Sequence, residues 1–194
     1  MNRSTLLAAT ATLGLLAASA GAAPVVYTVD TTHSSVVFYV NHFGFSNSIG
    51  RFKLGEGTFS FDNDNWSNST VDAKIPVPSL QLGDAKWNEE IIGSTWLDSA
   101  KYPDITFVSH KLEKIDAMHG KLSGDLTVKG VTKPVVLDVT LNKIGDQPIR
   151  KTTAAGFTAT TTIKRSQFGV AAYVPAVADE LVIRIEVEAF VAKK

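Results

Sequence analysis

The segment Glu180–Ala192, ELVIRIEVEAFVA, strictly alternates two kinds of side chain. Leu181, Ile183, Ile185, Val187, Ala189 and Val191 occupy one parity; Val182, Arg184, Glu186, Glu188 and Phe190 occupy the other. Successive side chains of a strand point to opposite faces, so this pattern requires a β-strand with one apolar face and one wetter face. The same period runs along most of the chain. SVVFYVN (35–41) sets Val36, Phe38 and Val40 against Val37 and Tyr39, and PVVLDVTLNKI (134–144) sets Val135, Leu137, Val139 and Leu141 on one side. Weaker or shorter versions occupy 26–30, 56–62, 70–77, 104–112, 120–130 and the Thr-rich 157–163. DNDN (62–65), KGVTKP (129–134) and IGDQP (144–148) punctuate these runs as turns, and HFGFSNSIG (42–50) reads as the loop or bulge where the 35–41 strand turns. Eight or nine strands at this spacing predict a barrel or a sandwich, and closure into a barrel disposes of exposed sheet edges.

One stretch breaks the period. In DAKWNEEIIGSTWLDS (84–99), Trp87, Ile91 and Thr95 recur at helical spacing, and Asp84 is placed to cap. Gly93 weakens the helix by about 1 kcal/mol relative to Ala, so two short helical pieces fit the stretch as well as one. Tyr102-Pro103 ends it, because the residue before proline avoids helical geometry.

The first residues read as a secretory signal. Arg3 precedes the apolar run LLAATATLGLLAASA, and small residues follow in ASAGAAP, with cleavage expected after Ala22. The reading is therefore a removed signal over 1–22, a single domain over 23–194, and export from the cytoplasm. The chain has 194 residues and no cysteine, so its core must hold without disulfides. Lys+Arg and Asp+Glu balance at 19 each, which leaves no basic field for nucleic acid.

Catalytic and metal patterns are weak. His33 and His42 are separated by an odd number of positions, so on one continuous strand they would face opposite ways and share no ion. His110 and His119 stand in the same relation across a turn, and the sequence carries no HExxH and no tight carboxylate–His cluster. There is no GxSxG elbow, and adjacent His33 and Ser34 would diverge on a strand. KLGEG (53–57) reads as a turn or bulge rather than a phosphate loop. No metal, cofactor or catalytic residue is expected. What remains is apolar surface, and an eight-stranded barrel either fills its interior with side chains or encloses a small ligand. Periodicity alone does not separate the two.

In order along residues 26–190, five pieces resemble the YceI-like family of periplasmic lipid- or polyisoprenoid-binding proteins. They are YTVDTTHSSVVFYVNHFGFSNSIGRF (27–52), WLDSAKYPDITFVS (96–109), GDLTVKGVTKPVVLDV (124–139), RSQFGV (165–170) and VADELVIRIEVEA (177–189). Gln167 stands where the family usually has an acid, and Ile91 and Ile92 where a more polar helix is usual; both changes bear on a cavity mouth. The resemblance implies an all-β, extended, lipocalin-like antiparallel barrel of about eight strands with a helical insertion near 84–99. It implies a carrier, not an enzyme, for a long-chain isoprenoid or fatty-acid-type lipid. A membrane cytochrome of the b561 type is an implied partner, and an exposed apolar mouth would favour a homodimer. Lining candidates are Phe38, Val40, Phe59, Phe107, Leu126, Val139, Phe157, Ile163, Phe168, Ile183 and Ile185. His33, His42, Arg165 and Tyr173 are mouth candidates, with a structural hydrogen bond as their competing role. Gly44, Gly50 and Gly130 are assigned to turns or bulges. A secreted hydrolase or a ligand-free interaction module on the same barrel are the competing functions.

Overall fold

The computed structural model describes residues 23–193. The segment read as a secretory signal, 1–22, lies outside them. Ten strands form one antiparallel sheet: β1 (Val25–Val29), β2 (Ser35–His42), β3 (Ser46–Lys53), β4 (Thr58–Phe61), β5 (Thr70–Pro76), β6 (Asp104–Lys114), β7 (His119–Val128), β8 (Val131–Gln147), β9 (Thr152–Lys164) and β10 (Glu180–Val191). Their order is β1-β4-β5-β6-β7-β8-β9-β10-β2-β3, and a further pairing of β1 with β10 closes the ring. Ten segments make eight staves, because two staves are each broken once. β1 and β2 lie end to end along β10, through Tyr27↔Val191 and Tyr39↔Val182, and β4 and β3 follow them as the next stave. The expected eight-stranded antiparallel barrel is what the chain forms.

Among the described residues one α-helix, α1 (Ala85–Ile92), interrupts the strands, with the Asp84 carboxylate accepting the Trp87 N–H at 2.9 Å. Of the two readings of 84–99, a continuous helix or shorter pieces divided at Gly93, the chain adopts a short helix that stops there. Gly93 ends it, and its carbonyl accepts the amides of Trp96 and Asp98 in the turns that follow.

Three strand boundaries depart from the sequence reading. β3 is a strand where a loop was expected: Ser46-Asn47-Ser48 has no apolar alternation, and its conformation is imposed by pairing with β2 from His42↔Ser46 to Ser35↔Lys53. The β8–β9 ladder continues through the expected turn IGDQP, as far as Gln147↔Thr152. Pro134, read as the point where the turn 129–134 meets the strand 134–144, lies three residues inside β8, which already starts at Val131. There β8 is paired only with β7, through Asp125, and β9 joins from Asp138, so the missing N–H costs no ladder bond.

Two buried clusters fill the ends of the barrel. One gathers Tyr27, Phe61, Trp66, Leu112, Leu122 and Leu141; Trp66, on the β4–β5 connection, is 1% exposed. A Cβ on Gly120 would sit 2.8 Å from the Trp66 ring, so Gly120 lets that ring close the end of the barrel. The second cluster gathers Val36, Phe52, Val77, Leu80, Trp96, Leu97 and Phe168 beside α1.

The break between β1 and β2 is clamped to β10. The Asp30 N–H donates to the Glu188 carbonyl at 2.8 Å, and the Ser34 hydroxyl donates to the same carbonyl at 3.1 Å while accepting the Glu188 N–H at 3.0 Å. The buried Asp30 carboxylate accepts the Thr32 N–H at 3.0 Å, contacts His33 Nδ1 at 2.9 Å and contacts Arg150 Nη2 at 3.4 Å. Burial pushes the Asp30 pKa up, but the His33 and Thr32 hydrogen bonds and the His33 and Arg150 charges outweigh it, so the carboxyl stays below its ordinary value. The Asp30 hydrogen bond and charge push the His33 pKa up. A raised His pKa stabilises the fold fully below the ordinary value of 6.5, and that contribution is lost as pH rises through the raised value. The Asp30 contribution is lost only in acid, as pH falls through its lowered pKa. Wild type is therefore expected to lose stability on raising pH from about 6.5, whereas His33→Gln stays flat over that window. Urea unfolding midpoints measured across the window check this, and equal pH slopes would refute it.

Candidate ligand cavity

The inward parities of all eight staves converge on one cavity of about 630 Å³, within the size range of small-molecule sites. Its wall takes Val36, Phe38 and Val40 from β2, Val135, Leu137 and Val139 from β8, Phe157, Ala159 and Ile163 from β9, and Leu181, Ile183, Ile185 and Val187 from β10. Phe59, Phe107, Leu126 and Phe168 complete the set, so all eleven residues proposed from sequence as lining stand in this one wall. In β6 the register shifts between Ser109 and Lys111. Inward parity therefore passes from Ile105 and Phe107 to Leu112, a change that alternation alone does not signal.

Two glycines keep the lumen open. Gly50, assigned from sequence to a turn, lies mid-strand in β3 opposite Phe38. A Cβ there would sit 2.0 Å from Phe38 Cζ, so the ring lies over the backbone of β3 instead of crossing the barrel. Gly124 serves Phe107 in the same way, with a Cβ at 2.5 Å from its Cζ. Gly44 and Gly130 do serve turns, at φ 77° and 74°.

The cavity reaches the surface at a rim built from α1, the β2–β3 hairpin tip and the loop before β10. His42, Phe43, Trp87, Glu90, Ile91, Tyr173 and Val177 line it. Hairpin and loop are stapled: the Phe43 N–H donates to the Ala176 carbonyl at 3.0 Å, and the Ala178 N–H to that of Asn41 at 2.9 Å. Phe43 and Tyr173 hold left-handed backbone at φ 55° and 59°, and Phe45 beside them is 91% exposed. The His42 ring lies 4.6 Å from Phe43 and 6.3 Å from Trp87.

The four mouth candidates part ways. His42 and Tyr173 stand on the rim. Arg165 touches the cavity but is committed to the fold: its guanidinium donates to the carbonyls of Ala178 at 2.9 Å, Val170 at 2.8 Å and Val177 at 2.8 Å, and lies 5.4 Å from the Trp96 ring. His33 does not line the cavity; it belongs to the β1–β2 clamp. The two histidines are thus separated by a broken stave, not by parity on one strand. Ile91 lines the rim, whereas Gln167 is exposed and does not. Trp87, Trp96 and Phe52 belong to the cavity and were not among the residues proposed from sequence. The i, i+4 spacing of Trp87 and Ile91 signalled an apolar face but not what it covers.

The sequence showed no carboxylate–His cluster, yet folding gathers one: ligand atoms of Asp30, His33 and Glu188 lie within 4.8 Å of one another. Arg150 already provides a cation there. Among the described residues, His33, His110 and His119 contact the carboxylates of Asp30, Asp125 and Asp116 rather than a Ser or Thr hydroxyl.

A closed antiparallel barrel whose apolar lumen opens at a loop-and-helix rim defines a class of barrels able to hold a hydrophobic ligand. Within that class this chain belongs to the YceI-like family, whose domain matches residues 27–189. Protein YceI of Escherichia coli O157:H7 is 35% identical over 188 residues, covering 97% of both chains. The crystal structure of Burkholderia cenocepacia BcnA superposes with a TM-score of 0.72 at 27% identity, over 82% of this chain and 98% of that one. A polyisoprenoid binding domain from Saccharophagus degradans superposes with a TM-score of 0.65 over 87% of this chain and 99% of that one; at 13% identity it shares the fold.

Replacing Arg165 by Met leaves three buried carbonyls without a donor, and hydrogen bonds from a charged group contribute about 1.5–3 kcal/mol each. Arg165→Met is expected to destabilise the fold by about 3 kcal/mol or more, read as a lowered urea midpoint in ligand-free protein. An unchanged midpoint would return Arg165 to the mouth.

Proposed function

We propose that this protein is a periplasmic carrier that holds a long-chain amphiphilic lipid, such as an isoprenoid quinone, polyprenol or fatty acid derivative, in its barrel lumen. The observation that carries this reading is the continuous apolar wall from the rim inward, kept unfilled where Phe38 and Phe107 lie against Gly50 and Gly124. Burying roughly 400 Å² of hydrocarbon at about 25 cal/mol per Å² yields about 10 kcal/mol gross. Association and ordering costs take back several kcal/mol, so micromolar or tighter binding needs no polar contact. Family membership and the polyisoprenoid binding domain that shares the fold support the ligand class.

In this reading the eleven wall residues grip the chain, His42 and Tyr173 border its way in, and 1–22 direct export. A b561-type membrane cytochrome as the source of a quinone, and pairing of two copies through the exposed rim, extend the same proposal. A hydrolase has less support: among the described residues no histidine ring is hydrogen-bonded to a Ser or Thr hydroxyl, and a His–Asp contact by itself orients a base without supplying a nucleophile.

Native mass spectrometry of protein purified from its own periplasm is expected to show a lipid adduct. Ala159→Trp, which fills the lumen, is expected to lose it while retaining the far-UV dichroism of the barrel. Lipid-free wild type that also fails to take up a fluorescent polyene would sink the carrier reading.

A further inference from the structure

Among the described residues, four aromatic side chains are exposed: Tyr39, Phe43, Phe45 and Tyr173. All four lie on the β2–β3 hairpin or on the loop before β10, the two segments stapled together at the rim. Phe45, Tyr173 and Phe43 project furthest, at 91%, 63% and 47% exposure, and together show roughly 400 Å² of ring surface. An apolar patch of that size marks an interaction surface. The same two segments are free of charge. Asp, Glu, Lys and Arg make up 20% of the chain, yet none occurs from Thr31 to Gly50 or from Ser166 to Ala178. Phe43 and Tyr173 also line the cavity, so the outer patch and the inner wall are one surface.

The backbone says what kind of phase covers it, because the amides at the tips are already used. Those of Gly44 and Phe45 donate to Asn41 Oδ1 at 2.8 Å and to the His42 carbonyl at 3.0 Å. That of Phe43 donates to Ala176 at 3.0 Å, and those of Val174 and Val177 donate to the carbonyls of Ala171 at 3.2 Å and Tyr173 at 2.8 Å. A surface with bonded amides and no charge enters hydrocarbon at little cost. It suits an added strand poorly, because strand addition draws on free backbone groups. A stable pair of copies takes about 800 Å² from each partner, about twice what these rings supply, and a socket shaped to them. Pairing through the rim is then transient at best. A fluid lipid surface needs neither the area nor the socket.

We propose that the rim is a membrane-docking surface: Phe43, Phe45 and Tyr173 enter the interface of a zwitterionic leaflet, and a lipid chain passes between bilayer and lumen without crossing water. The inference rests on the lipid-carrier reading, which puts the source of the cargo in a bilayer. Along β2 and β3 the first charge is Arg51, six residues past Phe45 and so roughly 20 Å down the strand. That exceeds the depth of about 5–10 Å to which interfacial segments sink. Charges beside the rim are of both signs: Lys86, Glu89 and Glu90 on α1, and the register partners Lys164 and Glu180 on β9 and β10. Docking therefore calls for no anionic lipid.

The protein is expected to co-float with phosphatidylcholine vesicles, and its binding to change less than about twofold between about 0.05 and 0.5 M salt. Phe45→Ser, at a residue that does not line the lumen, should weaken that binding at least about tenfold, and Phe45→Trp should restore it. Ile115→Ser, which removes an exposed apolar side chain at the far end of the barrel, should leave it unchanged. Transfer of a fluorescent polyene from vesicles should slow in Phe45→Ser by a similar factor, while its uptake from dilute ethanol stays at the wild-type level. Three results overturn docking while polyene uptake persists: binding to anionic vesicles alone that salt abolishes, equal binding by Phe45→Ser, or a wild-type dimer that Phe45→Ser splits and that ignores vesicles. Vesicle binding that Phe45→Ser loses, with no polyene uptake by any form, overturns the carrier reading and the transfer step while docking stands.

Discussion

Closure of the sheet along β10 is the constraint on which the rest depends. That strand pairs with β9 over nearly its whole length, while its other edge is shared by β2 at Val182–Glu186 and β1 at Val29↔Ala189 to Tyr27↔Val191. An edge shared by two strands obliges the chain to break between them, and the partner stave breaks in the same place, from β3 to β4. Asp30 and Ser34 satisfy the backbone of Glu188 at the first break, so the barrel keeps its main-chain bonds there. At the second break the Gly55 N–H bonds the Lys74 carbonyl and the Gly57 carbonyl accepts the Val29 N–H, so that stave keeps its main-chain bonds as well. Both breaks follow from one topological requirement.

The emptiness of the barrel has a different origin. Large aromatic residues inside an eight-stranded barrel normally fill it. Here Phe38 and Phe107 face glycines across the neighbouring strand, and each ring takes the space a side chain would have used. The wall gains aromatic surface without losing lumen. The same device applied to Trp66 and Gly120 closes the far end, because that ring comes from a connecting loop rather than from a stave.

Much of this was legible in the sequence. The alternation of Glu180–Val191 gave the inward set of β10 residue by residue, and Asp84 marked the start of the helix. The eleven residues proposed as lining stand in one wall because period two survives any error that does not shift a strand's register. The bulge between Ser109 and Lys111 shows the limit: it changes which parity faces inward, and nothing in DITFVSHKL announces it. β3 was illegible for another reason. Ser46-Asn47-Ser48 has no pattern of its own, and pairing with β2 alone makes it extended. His33 was misplaced because the clamp joins residues on opposite sides of a stave break, 154 positions apart in the case of Ser34 and Glu188.

By itself, then, the sequence determined that the chain alternates, that its apolar faces must close on one another, and that it belongs among the YceI-like barrels. These are properties of local period and ordered motif, carried by neighbouring residues. The tertiary structure alone decided whether the interior is full or hollow, where the lumen opens and which charged groups meet. Those depend on which residues face each other across strands: Gly50 under Phe38, Gly124 under Phe107, Asp30 beside Arg150. Register and closure set such pairings, and no period in the chain encodes them.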